Sequence, residues 1–102
     1  MPAYVIANYR VTDQEGYNAY LAGVAPTLVP FGGELIVGDF DSEAIEGNPA
    51  AVSVVVRFPD RQAARDWYDS QAYRAVRDFR IENTEGFLLL ADGMPDESAQ
   101  AG

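Results

Sequence analysis

The stretch DWYDSQAYRAVRDFR, Asp66 to Arg80, gathers one Trp, two Tyr, one Phe and three Arg in a chain that contains no Lys. Aromatic rings offer apolar contact, and a guanidinium offers paired N–H donors to a carboxylate, so together they are suited to holding a small organic anion. On a helix, Tyr73, Val76 and Arg80 stand at i, i+3 and i+7, which puts Arg80 on the flank of an apolar stripe. A guanidinium at the edge of a core needs a carboxylate, a carbonyl or a ligand anion to offset its desolvation. Within the chain, Glu46, Asp69 or the carbonyls of the helix end could meet that need. The expected site is Asn8, Tyr20, Phe31, Glu46, Trp67, Tyr68, Tyr73 and Arg80, in a cleft between sheet and helices. Arg80 would hold a carboxylate or enolate there, Tyr20 or Tyr68 would donate a proton, and Glu46 would act as base. The structural alternative is that the rings are core and Arg80 an internal bridge.

Composition narrows the chemistry. The 102 residues include no Cys and no His. That removes disulfides, thiolate nucleophiles, Ser-His and Cys-His pairs, haem ligation through either residue, and zinc sites built from them. A net charge of −9 repels phosphate backbones, so nucleic acid is not an expected partner. Asp39, Asp41 and Glu43 lie close together but lack the Gly and Glu offsets of a calcium loop, and no metal or cofactor is expected. No apolar run approaches the ~20 residues that span a bilayer. The N-terminus MPAYVIANYR enters strand-like alternation at once, without a signal-peptide pattern, so a cytoplasmic address is expected.

The elements that must position these side chains follow from periodicity. AYVIANYRV alternates Val5, Ala7, Tyr9 and Val11 against Tyr4, Ile6, Asn8 and Arg10, and reads as a strand. TDQE offers a capping box between Thr12 and Glu15 for a helix carrying Tyr17, Tyr20, Leu21, Val24 and Leu28, which Pro26 must bend or end in its last turns. PFGGELIVGDF reads as a turn into a second strand. Its Gly32 and Gly33 precede a strand instead of joining strand to helix, which argues for a turn and against a phosphate loop. AAVSVVVRFP is a third strand. Asp60 and Ser70 each cap a short helix, and TEGFLLLADG is the last strand. In the second of these short helices Ala72, Val76 and Phe79 are expected to face inward, with Arg74 free to pair with Asp78.

The order predicts an α+β, ferredoxin-like βαββαβ domain over residues 1–94: a four-stranded antiparallel sheet with its helices on one face, and a flexible tail over 95–102. Both alternating sets of sheet residues are apolar, although helices can cover only one. A homodimer packed through its sheet faces is therefore expected.

The blocks YNAYL, PTLVPFGGELIVGD, EGNP, VVVRFPDRQAARDWYDSQAYRAVRDFR and GFLLLADG resemble domain-of-unknown-function family 1330 of the dimeric α/β-barrel superfamily. The resemblance runs from Tyr4 to Gly93 and is most specific around Trp67, Tyr68, Ser70, Tyr73 and Arg80. It implies a ferredoxin-like protomer and a sheet-to-sheet dimer, without an assigned activity. Arg57 departs from it, standing where the family often has an acidic residue before Phe-Pro. Other superfamily members resemble cofactor-independent monooxygenases, ring-cleavage isomerases, dehydratases and haem enzymes. Three functions remain: a small-molecule site that is catalytic without a cofactor, a non-catalytic dimeric binding or structural module, and a subunit that works through another protein.

Overall fold

A computed structural model describes residues 1–95 of the chain. All but the first residue of the expected tail lies outside the described residues. The elements are β1 (Ala3–Val11), α1 (Gln14–Leu28), a short 3-10 helix (Val29–Phe31), β2 (Glu34–Asp39), β3 (Val52–Phe58), α2 (Arg61–Asp69), α3 (Gln71–Asn83) and β4 (Thr84–Asp92). The strands form one antiparallel sheet in the order β2-β3-β1-β4. This is the ferredoxin-like α+β fold, with the second helix divided in two.

The period-2 pattern of β1 sets which face the helices cover. Ala3, Val5, Ala7 and Tyr9 are buried on that side. Their cross-strand partners Phe58, Val56, Val54 and Val52 on β3, and Leu90 and Leu88 on β4, share the face. The opposite face carries Tyr4, Ile6, Val55, Phe87 and Leu89, and no helix among the described residues covers it. β2 breaks register between Leu35 and Val37, a bulge at Ile36.

Local chemistry fixes the ends of the helices. Asp60 Oδ1 accepts from the Ala63 N–H at 2.8 Å, and Ser70 Oγ accepts from the Tyr73 N–H at 3.1 Å. The Ser70 cap is what divides α2 from α3. Pro26 is in the last turn of α1, which ends two residues later. Beyond it the Gly32 N–H bonds to the Val29 carbonyl and the Gly33 N–H to the Leu28 carbonyl, and Gly32 adopts φ 69°, a left-handed closure suited to glycine.

Three expectations need correction. The Thr12 capping box does not form: Asp13 is the cap residue of α1, without a side-chain bond, and the Thr12 N–H donates instead to the Asn83 carbonyl at 2.8 Å. The start of α1 is thereby tied to the end of α3. On α3 the inward face is also rotated, since Tyr73 and Arg80 are buried, Val76 is half-buried, and Ala72 and Phe79 are exposed. Asp78 lies 3.9 Å from Arg77 Nε and forms no ion pair with Arg74.

Candidate functional site

Beneath α1 the inward sheet face carries small side chains, Ala7 and Val5, where larger ones would reach the helix. The result is a cavity of about 180 Å³ between α1 and the sheet. Val54, Val56, Leu88 and Leu28 line it, with the rings of Tyr17 and Tyr20 on the helix side. Its rim reaches Leu35 and Phe40 at the β2 edge, and among the described residues one charged group lines it, Arg80.

The polar tips are arranged in two pairs. Tyr9 and Tyr17 share a hydrogen bond of 2.6 Å between their hydroxyls, and Tyr20 and Tyr73 share one of 3.0 Å. Arg80 Nε donates to the Tyr73 hydroxyl at 3.4 Å, and the guanidinium lies 6.0 Å from the centre of the Tyr20 ring. Trp67 packs on Tyr73 with ring centres 4.0 Å apart, and its Nε1–H donates to Thr27 Oγ1 at 3.0 Å. These contacts hold both tyrosine pairs in fixed orientation around the cavity.

Burial sets their charge states. It raises the Tyr9, Tyr17 and Tyr20 hydroxyls above their ordinary pKa, with the Tyr17 bond adding to the effect on Tyr9 and the Tyr73 charge and bond adding to that on Tyr20. All three are hydrogen-bond donors near neutral pH. Burial opposes the charge of Arg80, but the Tyr73 oxygen, followed by those of Tyr20 and Tyr68, outweighs it and leaves its pKa raised. Arg80 is 8% exposed. Among the described residues no carboxylate lies within ion-pair distance of it.

The predicted site residues separate into groups. Tyr20, Trp67 and Arg80 line the cavity, and Tyr73 braces Arg80. Tyr68 and Arg80 line a neighbouring groove. Asn8 points to the opposite sheet face, where its amide binds Ala50 N–H and the Ala50 and Val52 carbonyls, latching the loop between β2 and β3. The β1 alternation already puts it on that side. Phe31 packs on the core from the 3-10 helix without lining either space. Glu46 is exposed in the β2–β3 loop and lines neither, so the general base assigned to it has no geometric support. Nor do Glu46 and Asp69 bridge Arg80. Sequence reading missed Tyr9 and Tyr17 as site residues, although Tyr9 belongs to the inward set of β1 and Tyr17 to the apolar face of α1. Among the described residues no group of three His, Cys, Asp or Glu side chains could hold a metal. No described helix is long and apolar enough to cross a membrane.

The family model "Domain of unknown function (DUF1330)" matches residues 2–94. The chain belongs to the DUF1330 family. No curated protein matches it. Among solved structures, the DUF1330 chain is similar to a protein of unknown function from Rhodopseudomonas palustris, with TM-score 0.75 and 14% identity over 93% of this chain and 84% of that one. It is also similar to SnoaB, a cofactor-independent oxygenase from Streptomyces nogalater, with TM-score 0.66 and 10% identity over 94% and 96% of the two chains. A third is a Dabb-family protein with a ferredoxin-like fold from Mesorhizobium loti, with TM-score 0.63 and 16% identity over 93% and 97%. At these identities the likeness is one of fold, that of the dimeric α/β-barrel proteins.

Proposed function

We propose that this DUF1330 chain binds a small organic acid, with its ring or short chain in the cavity under α1 and its carboxylate on Arg80. The observation that carries this reading is the Arg80 guanidinium, buried beside an apolar cavity with the Tyr73 hydroxyl as its hydrogen-bond partner. A buried charge without a counter-ion is costly, and a ligand carboxylate would offset that cost with charge-assisted bonds. The volume sets the size of the guest: a cavity of about 150 Å³ holds benzene, so one of 180 Å³ suits a single ring or an equivalent aliphatic body. The Tyr20 hydroxyl supplies a further donor.

The lining favours binding over proton abstraction. Among the described residues no carboxylate lines the cavity or the neighbouring groove, and Tyr9 and Tyr20 hold their protons. Turnover would thus depend on a substrate that supplies its own base or ionises readily. The test is calorimetric titration and thermal shift with benzoate, phenylacetate and octanoate, each beside its neutral amide. Acids should raise the melting temperature and amides should not, and Arg80→Gln should abolish the difference. Equal responses to acid and amide would overturn the reading.

The acid-binding protomer is further proposed to act as a homodimer through the uncovered sheet face. Ile6, Val55 and Leu89 are adjacent in the register, with Phe87 and Val37 beside them. Arg10 and Glu85 form an ion pair at the margin. An apolar centre with a charged rim is the usual anatomy of a protein interface.

A further inference from the structure

A second space of about 530 Å³ abuts the cavity at Val5, Arg80 and Leu88, which line both. Its walls differ in kind. On one side α2 presents Arg61, Arg65 and Tyr68, spaced i, i+4 and i+7 on a single helical face. On the other runs β4 from Gly86 to Leu90, the edge strand of the sheet, whose outer side has no partner among the described residues. Arg80 closes the inner end. Three of the seven basic residues of a chain with net charge −9 line this one groove, and among the described residues no acidic one does. Arg61 is held at the rim by Asp92 at 3.1 Å. Arg65 has no carboxylate within ion-pair distance among the described residues. Arg77 adds positive charge behind the wall, its guanidinium 5.3 Å from the Tyr68 ring centre.

From this placement we infer that the groove is a second anion subsite of the same binding site, and that the ligand is a dianion: one carboxylate on Arg80, its body turned out along the groove and not into the inner cavity, and the other carboxylate on Arg65 and Arg61. The inference rests on the acid-binding reading of the cavity and narrows its ligand class. An acidic surface repels a dianion more strongly than a monoanion, and a local cluster of arginines is what overcomes that field at the point of entry. Tyr68 gives an apolar wall between the two charged ends, and the open side of the groove leaves room for a linker longer than one ring.

The test uses matched pairs, benzoate with terephthalate and octanoate with octanedioate, titrated calorimetrically into the full chain and into Arg65→Gln and Arg80→Gln variants. Arg65 is exposed on α2, so its replacement leaves the core intact. For at least one pair the dianion should bind about tenfold more tightly than the monoanion, the strength of one added charge-assisted contact. Arg65→Gln should erase that advantage while costing the monoanion much less than the dianion, and Arg80→Gln should weaken both. Should dianions gain nothing, or Arg65→Gln leave their advantage intact, the second subsite is wrong. In that case monoanion binding lost on Arg80→Gln would still uphold the inner cavity. Absence of binding by every acid would overturn both readings, provided circular dichroism shows each variant folded.

Discussion

Trp67 Nε1 donates to Thr27 Oγ1 at 3.0 Å, joining α2 to the end of α1 inside the core. The Thr27 hydroxyl in turn donates to the Val24 carbonyl at 2.6 Å, so one oxygen serves two partners. Thr27→Val keeps the shape and removes both bonds. The Trp67 N–H is then buried without an acceptor, which costs about 1–3 kcal/mol. Thr27→Ser should lose much less. Chemical denaturation followed through the single Trp decides it, because the probe is the affected residue. Equal stability of the Thr27→Val variant and the parent would mean that the bond contributes nothing.

The three raised tyrosines make the fold sensitive to alkali. Folded Tyr9, Tyr17 and Tyr20 hold their protons above 10.0, the ordinary value, whereas the unfolded chain releases them there. The unfolded state then binds fewer protons, so stability falls as pH rises, by about 1.4 kcal/mol per pH unit for each group. Below the ordinary value both states are protonated and these groups contribute no slope. Tyrosinate absorbance should show these rings un-ionised until far-ultraviolet ellipticity collapses. Six tyrosines titrating in the ordinary range with the native signal retained would contradict the buried pairs.

The two regular signals, alternation and capping, made the fold legible. β1 shows its inward set residue by residue, and Asp60 and Ser70 accept the bonds their positions foretold. What the sequence hid was the orientation of α3. Periodicity puts Phe79 inside and Arg80 only on the flank of the stripe, but Tyr73 and Arg80 share a polar contact that satisfies both when buried, and Phe79 stays 43% exposed. Only the tertiary arrangement reveals that pairing. Asn8 shows the reverse case: its face was readable from β1, but its partners Ala50 and Val52 are more than forty positions away in sequence. Arg61 and Arg65 escaped notice because a helical Arg spacing of four ordinarily marks a solvated face.

Gly86 faces Tyr9 across the β1–β4 ladder. A Cβ there would collide with the Asn8 carbonyl oxygen and the Tyr9 backbone, atoms that cannot swing aside. Gly86→Ala is expected to destabilise the protein by about 3 kcal/mol, the upper range for overpacking. Hydrogen exchange should show the loss of protection concentrated where β1 meets β4. A variant with unchanged melting temperature would refute the close approach.

Val55 is bracketed by Ile6 on one side and Val37 on the other, at the middle of the uncovered sheet face. Glu at that position is solvated in a lone protomer, where its cost is the β-propensity difference, within about 1 kcal/mol. In a face-to-face dimer the same carboxylate lies opposite apolar side chains with no partner, and a stable interface of the ordinary size, about 800 Å² per partner, has no room for an unpaired charge at its centre. Val55→Glu should therefore sediment as a monomer at micromolar concentration with an unchanged circular dichroism spectrum, while the parent sediments as a dimer. A monomeric parent would refute the proposed assembly, and a variant that remains dimeric would place the contact on some other surface.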